Sequence, residues 1–475
     1  MFRHLCIRPA ITIVAGVCLV ALSAAWILFS GVDQLEPLRL GSQVAARKPS
    51  GQAQLVSIQP LPEMNGAICE LAPANAPASL RTAMQEARLS EYPDARQQSE
   101  VQKRPPLRMI RDPYSAFSSV AVDPIRNEVI FTDENLFQLV VYDRMANTSA
   151  SAKMTEPKRV IGGLNTKIEF NCHVYVDPKT GDLYTISHDS DGMPMTVFNR
   201  QAKGDVPPTR ELDVPKGTYG IAVDEVAEEM FFAIEHDSAV SVYRKYAEKD
   251  EAPIRLIQGD KTLLGDAHGI ALDTRKQVMF VSNYGYSSSR AAVPPAGTGG
   301  RRRSEEKPNW PLQRSVAIPG TGKILQPSIN VYPIKAHGDI PPLRIIQGPK
   351  TQINMPSHLF MDEGNNELFV ANDMGNSILV FDASASGDIA PKRVLKGPKT
   401  MIQNPTGVFV DLKNDELWVA NFGSRAATVF KRTAAGDTAP LRIIRNGPLD
   451  APGLMIGNPG AVGYDTKREQ ILVPN

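Results

Sequence analysis

An internal repeat constrains the fold of this chain more than any other feature. The order of apolar segments that begins at Pro342 returns 49 residues later at Pro391. Each unit has four short segments rich in Val, Ile, Phe and Tyr, separated by turn residues, which predicts four antiparallel strands. Four-stranded sheets that recur every 40 to 50 residues are typical of β-propellers. The sequence therefore predicts an all-β propeller over residues 106–475.

The number of blades follows from the aspartate that ends the first strand of each unit. Seven such residues occur: Asp123, Asp177, Asp224, Asp273, Asp362, Asp411 and Asp465. We therefore expect a seven-bladed propeller, in which Leu107–Ile110 supplies the outer strand of the last blade. The alternative is a six-bladed ring followed by a short extra hairpin. In the fourth unit, residues 285–328 are rich in Pro, Gly and Arg and are expected to form a disordered insertion.

The N-terminal region is predicted to place the propeller outside the cytoplasm. Residues 10–32 contain no Asp, Glu, Lys, Arg or His, and Arg3 and Arg8 precede them. This pattern predicts a transmembrane signal-anchor after a cytoplasmic segment, residues 1–9. Residues 33–105 then form a linker or stalk with one short helix, and the propeller is periplasmic or extracellular. The alternative is a cleaved signal peptide and a secreted protein.

Charge and cysteine content add little about partners. Lys and Arg total 52 against 51 for Asp and Glu, so no overall field favours nucleic acid. In the part expected to be exported, Cys69 and Cys172 either form one disulfide or remain two thiols.

The segments Gly269–Asp273, Val370–Asn372 and Ile378–Phe381 resemble the NHL and YVTN repeat propellers, which include bacterial lactonase-like proteins. The resemblance covers residues 106–475 and implies a β-propeller fold. Because these families include enzymes, scaffolds and proteins of unknown role, function has to be argued from a site.

Residues that recur in every unit are interpreted as structural. The seven aspartates are expected to accept backbone N–H bonds in the following turn. Six arginines on the outer strands are interpreted as solvated charges that discourage strand addition: Arg159, Arg210, Arg255, Arg344, Arg393 and Arg442.

Residues that differ between units at the start of the inner strand are the candidates for function, because this end of the strand faces the channel mouth. Three of them are histidines, His173, His268 and His358, which predict a divalent metal such as zinc in the central channel. The pattern around His268 is similar to that of peptidyl-hydroxyglycine amidating lyases, propellers that hold zinc with three histidines. His173 and His358 lie one residue out of register with His268, which favours the alternative of histidines bonded to backbone or water.

A second set of residues is predicted to bind a ligand. It consists of Tyr219, Asn283, Tyr284, Asn372 and Asn421, of which the asparagines close second strands. Tyr284 or Tyr286 falls near the position of a catalytic tyrosine in the amidating lyases. Related lactonases bind calcium through an asparagine before the inner-strand glycine, but here that position holds His268, Tyr219 or Thr406. The three asparagines are expected either to bond a neighbouring turn or to offer carbonyl oxygens.

The sequence thus predicts a membrane-anchored propeller that binds a small ligand or a protein as a scaffold module, with no catalytic residue assigned. The alternative is a metal-dependent hydrolase or lyase with its site in the channel. No nucleophile elbow, Cys-x-x-Cys pair, His-Glu-x-x-His motif or phosphate loop occurs in the propeller.

Overall fold

The computed structural model describes residues 113–188, 193–287, 290–292, 315–317, 322–449, 463–465 and 470–472. In this part of the chain, six antiparallel sheets of four strands form the blades. Blade 1 contains β1 (Phe117–Asp123), β2 (Glu128–Asp133), β3 (Gln138–Asp143) and β4 (Arg159–Gly162). Blade 2 contains β5 (Asn171–Val176), β6 (Leu183–Ser187), β7 (Met195–Phe198) and β8 (Arg210–Leu212). Blade 3 contains β9 (Thr218–Asp224), β10 (Glu229–Ile234), β11 (Ala239–Arg244) and β12 (Arg255–Ile257).

The insertion interrupts blade 4 between its second and third strands. Blade 4 contains β13 (Ala267–Asp273), β14 (Val278–Asn283), β19 (Ser328–Pro333) and β20 (Arg344–Ile346). The insertion contributes β15 (Tyr286–Ser287), β16 (Arg290–Ala292), β17 (Ser315–Ala317) and β18 (Lys323–Ile324). Within the described part of the insertion, β15 pairs with β18 and β16 with β17, each pair antiparallel. The disorder expected for residues 285–328 stays a prediction.

The last two blades have no insertion. Blade 5 contains β21 (Pro356–Asp362), β22 (Glu367–Asn372), β23 (Ser377–Asp382) and β24 (Arg393–Leu395). Blade 6 contains β25 (Pro405–Asp411), β26 (Glu416–Asn421), β27 (Ala426–Lys431) and β28 (Arg442–Arg445). A separate two-stranded hairpin follows, made of β29 (Gly463–Asp465) and β30 (Gln470–Leu472). Five short 3-10 helices lie in described loops: Leu164–Thr166, Asp260–Thr262, Pro349–Thr351, Pro398–Thr400 and Phe422–Ser424.

The prediction of seven blades is wrong, because six blades already close the ring. The inner strand of each blade packs against that of the next, and β25 of blade 6 packs against β1 of blade 1. One apolar cluster joins Trp418 and Val429 of blade 6 to Phe131 and Tyr142 of blade 1. The seventh aspartate, Asp465, belongs to the two-stranded hairpin. The alternative of six blades and an extra hairpin is therefore confirmed.

A hydrogen bond from each blade clasps the outer strand of the blade before it. Gly204, Lys249, Gly338, Gly387 and Gly436 donate their N–H groups to the outer strands of blades 1 to 5 at 2.6–2.7 Å. The sixth clasp closes the ring, since the Thr148 N–H of blade 1 donates to the Ile443 carbonyl of blade 6 at 2.7 Å. Backbone pairing thus continues around the whole ring.

The aspartates that end the inner strands cap the following turns, as predicted for the six blades. Asp123 Oδ1 accepts the N–H groups of Ile125 and Arg126, both at 3.0 Å. Asp411 Oδ1 accepts those of Lys413 and Asn414 at 3.1 and 3.2 Å. These bonds fix the turn that starts the second strand of each blade.

The outer-strand arginines are not solvated, in contrast to the interpretation of the sequence. Arg255, Arg393 and Arg442 each form two hydrogen bonds with a glutamate at the start of the second strand of their own blade. The Arg442 guanidinium also lies 5.4 Å from the ring centroid of Trp418. Paired guanidinium groups over aromatic rings therefore stabilise the rim of each of these blades.

The pairing of Arg393 with Glu367 on this rim makes the stability of the fold depend on pH. The hydrogen bonds from Arg393, acting against burial, lower the pKa of Glu367 from 4.5 to about 2. A lowered folded-state pKa stabilises the fold above pH 4.5, and this contribution is lost as the pH falls toward 2. We expect Glu367→Gln to reduce the free energy of unfolding by about 2 kcal/mol at pH 7 and by much less at pH 3. Chemical denaturation at both pH values measures the loss of unfolding free energy, and Glu248→Gln, at an exposed position, is the control. A loss that is as large at pH 3 as at pH 7 would contradict this prediction.

The predicted N-terminal anchor, residues 10–32, lies outside the described residues. Among the residues that the structure describes, no helix is long and apolar enough to cross a membrane. Cys69 also lies outside them, whereas Cys172 is buried with its Sγ 3.3 Å from the Tyr219 carbonyl oxygen.

Candidate metal centre at the channel mouth

Two histidines fill the centre of the ring. His173 of blade 2 and His358 of blade 5 stand on opposite blades, and their ring centroids lie 4.0 Å apart. At the equivalent position, three of the other blades have Gly220, Gly269 and Gly407, where a Cβ atom would overlap the neighbouring inner strand. Two imidazoles therefore meet at the centre of the ring, and we call this pair the plug.

A bulge at the start of the inner strands explains why histidines out of register still converge. Strand pairing shifts between Asn171 and His173 in blade 2 and between Ala267 and Ile270 in blade 4. An extra residue at a bulge re-aims the side chains, so strict alternation between faces does not hold there. As a result, the Tyr219 ring centroid lies 4.3 Å from that of His268 and 5.3 Å from that of His358.

Both imidazoles of the plug are held in the neutral form. Burial lowers the pKa of His173 to about 3 and that of His358 well below its ordinary value. His173 Nδ1 accepts the Ile221 N–H at 3.4 Å, so the proton of the neutral ring is on Nε2. The His358 side chain is 99% buried, and neither of its nitrogens has a hydrogen-bond partner in the described protein. Such an imidazole is suited to hydrogen bond with a bound molecule.

A second cluster of ionisable groups lies beside the plug, at the mouth of the channel. It consists of His188, Glu235, His236, Asp266 and His268, which we call the mouth cluster. In the described chain, two sets of three could hold a metal ion: His188 with Glu235 and His236, and Glu235 with Asp266 and His268. Within each set, the ligand atoms all lie within 4.8 Å of one another. The two sets share only Glu235.

Equivalent loops of blades 2, 3 and 4 bring this cluster together. His188 and Glu235 each follow the second strand of their blade, and their N–H groups bond to the residues just before the inner strand. In blade 4 the residue just before the inner strand is Asp266. Its φ is +59°, a conformation that aspartate tolerates better than most residues. In blade 3 the same position is Gly217, and a Cβ there would overlap the His236 side chain.

Glu235 lies at the centre of the mouth cluster. Its Oε2 accepts a hydrogen bond from His188 Nε2 and lies 4.0 Å from His268 Nε2. Its Oε1 lies 3.9 Å from His236 Nε2. The two carboxylate oxygens therefore face three imidazoles on three blades.

A backbone hydrogen bond fixes the tautomer of His268. Its Nδ1 lies 2.9 Å from the Asp266 carbonyl oxygen, which can only accept, so Nδ1 carries the proton. The lone pair of Nε2 then points toward Glu235. A histidine whose other nitrogen donates to a backbone carbonyl is the usual arrangement of a metal ligand.

Within the mouth cluster, the pKa of Glu235 is lowered and that of Asp266 is raised. Burial acts to raise the pKa of Glu235, but the hydrogen bond from His188 and the nearby imidazoles hold it at about 2. Burial and the negative charge of Glu235 raise the pKa of Asp266 to about 7. Burial lowers the pKa of His268 to about 4. Glu235 is thus ionised and His268 neutral near pH 7, the forms in which both bind metals.

Two tyrosines line the space between the plug and the mouth cluster. The Tyr284 ring stacks on His268 with centroids 3.5 Å apart and an interplanar angle of 10°. Burial raises the pKa of its hydroxyl well above the ordinary value. The Tyr219 hydroxyl lies 3.4 Å from Ser357 Oγ. Polar hydroxyls therefore face a site whose walls are aromatic.

The three asparagines predicted to bind a ligand are engaged elsewhere. The side-chain oxygens of Asn283, Asn372 and Asn421 accept N–H groups from the loop before the inner strand of their own blade, at 3.0, 2.7 and 3.2 Å. All three side chains are buried. Their carbonyl oxygens hold loops in place.

The structure thus brings only part of the predicted metal set into the mouth cluster. His268 belongs to it, whereas His173 and His358 form the plug and do not join His268 in a three-ligand set within the described residues. Sequence reasoning missed His188, Glu235, His236 and Asp266. A signal for two of them exists, because the residue after the second strand is ionisable or polar in five of the six blades and is not fixed in type as a structural repeat residue would be: Glu134, His188, Glu235, Tyr284, Asp373 and Phe422.

Comparisons with known proteins do not assign a family. No protein-family model and no curated protein matches the chain. Solved structures that match include a hydrazine synthase chain of Kuenenia stuttgartiensis, with 12% identity, a TM-score of 0.44 and coverage of 70% of this chain and 100% of that one. A functionally unknown protein from Desulfotomaculum acetoxidans has 12% identity, a TM-score of 0.43 and coverage of 77% and 91%. Likenesses at this level carry no statement about function, and the NHL or YVTN type of repeat stays a prediction.

Proposed function

We propose that the channel mouth binds a divalent transition-metal ion and that the protein is a metal-dependent hydrolase or lyase. The observation that supports this most is the set His188, Glu235 and His236, whose ligand atoms lie within 4.8 Å of one another. Two imidazoles and one carboxylate suit zinc, iron, cobalt or nickel, whereas calcium and magnesium favour oxygen ligands. Three protein ligands leave a coordination position open, as in catalytic zinc sites.

The surroundings of this set fit a reaction at the mouth. A bound ion of this kind acts as a Lewis acid and lowers the pKa of a coordinated water. Tyr219 and Tyr284 present hydroxyls beside His268 and are the groups that orient a substrate through hydrogen bonds. The plug, His173 and His358, lies at the centre of the ring and restricts the substrate to what the mouth accepts.

The ligand-binding or scaffold role expected from the sequence differs from this proposal in one respect: it needs no turnover. Both roles can be tested on the same protein. A metal centre that binds its ion but supports no reaction favours the binding role.

Removal of metal ligands provides the test. We expect the full-length chain to bind Zn²⁺ or Co²⁺ at the mouth, and His236→Ala to weaken binding by more than about 100-fold, since loss of even an outer-shell partner costs 10- to 100-fold. Isothermal titration calorimetry on chelator-treated protein measures the affinity. His337→Ala is the matched control, because His337 is an exposed histidine outside the mouth cluster.

Activity is measured on the same samples with ester, lactone and amide substrates, before and after chelation. Turnover that chelation removes and Zn²⁺ or Co²⁺ restores supports the enzyme. Binding without turnover contradicts the catalytic part and leaves a metal-binding module. If the wild-type protein binds neither ion, the proposal as a whole is wrong.

A further inference from the structure

We infer that the mouth cluster holds two divalent metal ions bridged by Glu235, one bound by His188 and His236 and the other by Asp266 and His268. This inference rests on the proposed function, since it adds a second ion to the same site. It assigns a ligand role to all five members of the mouth cluster.

The spacing of the ligand atoms favours two ions over one. Atoms bound to a single ion at about 2.1 Å cannot lie more than about 4.2 Å apart. Each set of three satisfies a limit of 4.8 Å, but among the described residues the five ligand atoms do not form one set within that limit. One ion could therefore not bind all five groups without a large movement of side chains, whereas two ions that share Glu235 need the atoms of each set to contract only from within 4.8 Å to about 4.2 Å.

The carboxylate of Glu235 has the orientation of a bridge. Oε1 lies 3.9 Å from His236 Nε2 of the first set, and Oε2 lies 4.0 Å from His268 Nε2 of the second. In two-metal sites the ions lie about 3.5–4 Å apart, a distance that one carboxylate spans with its two oxygens. Glu235 thus offers Oε1 toward the first set and Oε2 toward the second, and the hydrogen bond that Oε2 accepts from His188 would have to break when His188 binds an ion.

Charge and hydrogen bonding support the second ion independently of the first. Asp266 and Glu235 are partly buried carboxylates whose ligand atoms lie within 4.8 Å of each other, and a cation between them would offset their like charges. The Asp266 carbonyl orients His268 so that its Nε2 lone pair faces the same space. Asp266 therefore contributes a ligand oxygen and, through its backbone, the orientation of a second ligand.

Metal stoichiometry tests the inference. The full-length chain is loaded with Zn²⁺ after chelation, desalted and analysed by inductively coupled plasma mass spectrometry. We expect two Zn²⁺ per chain, one in H188A/H236A, one in D266N/H268A, and two in the control H337A. Circular dichroism and thermal unfolding of each variant establish that it is folded. If a double variant does not fold, it is replaced by its conservative counterpart, H188Q/H236Q for the first ion or D266N/H268Q for the second.

The bridge itself is tested with Mn²⁺ by electron paramagnetic resonance. Two ions bridged by Glu235 give a spin-coupled spectrum, and Glu235→Gln is expected to abolish the coupling. One Zn²⁺ in the wild type, lost in both double variants, overturns the second ion and leaves the proposed function intact. No Zn²⁺ in the wild type overturns both. Two Zn²⁺ that both survive in the double variants would place the ions elsewhere and also overturn the inference.

Discussion

Gly269→Ala is expected to destabilise the propeller by about 3 kcal/mol or more, a large fraction of the stability of a typical domain. An added Cβ would overlap the Ser357 carbonyl oxygen of blade 5 and would lie 2.9 Å from the His358 Cα atom. These are backbone atoms of an inner strand, so no flexible side chain can move aside. The inner strands of blades 4 and 5 would have to separate at the plug.

Gly338→Ala is the matched control for this prediction. Gly338 has a φ of +81° and open space around its Cβ position, so its replacement costs only about 1 kcal/mol of backbone strain. Chemical denaturation of both variants compares the two costs. If Gly269→Ala is no more destabilising than Gly338→Ala, the inner strands do not pack as closely as the structure has them.

Lys245→Ala is expected to lower the free energy of unfolding by about 3–5 kcal/mol. The Lys245 side chain has no exposed surface, and its Nζ lies 2.7 Å from Asp177 Oδ2 and 2.6 Å from Glu225 Oε1. Although burial opposes it, hydrogen bonding to these carboxylates raises the pKa of Lys245. Removal of the ammonium group leaves the buried Asp177 carboxylate without its cation, at the contact between blades 2 and 3.

The control for Lys245→Ala is Lys335→Ala. The ammonium group of Lys335 pairs with Glu229, but the Lys335 side chain is 55% exposed. An exposed pair of this kind contributes about 0–1 kcal/mol. Lys245→Met combined with Asp177→Asn should recover part of the loss, because the uncompensated charge is removed with its partner. Equal effects of Lys245→Ala and Lys335→Ala in urea denaturation would contradict the role assigned to the buried lysine.

The blades could be predicted from sequence because their determinants are local. The spacing of apolar segments and the capping aspartates act within one unit, and both are found as expected. The number of blades depends on contacts between distant units, such as that of Trp418 with the apolar residues of blade 1. A repeat pattern counts Asp465 like any other aspartate, and only the closure of the ring shows that its strands form a separate hairpin.

The site was predictable only where it lies on regular strands. The start of the inner strand directs attention to Tyr219 and His268, and both line the mouth. The other members of the mouth cluster lie in loops, and their convergence depends on the angle between blades 2, 3 and 4. The three histidines were grouped as one metal set because all lie at the start of an inner strand, and the bulge that decides where each side chain points could not be inferred from alternation. Aligning the residues that follow each second strand would have brought His188 and Glu235 into view.

The central claim is that the channel mouth is a metal centre, and anomalous X-ray diffraction locates metals directly. Crystals of the protein grown with Zn²⁺ would be measured on both sides of the zinc absorption edge. The account predicts anomalous density within about 2.1 Å of His188 Nε2, His236 Nε2 and a Glu235 oxygen. Zinc found only at other residues, or no zinc bound at millimolar concentration, would contradict it.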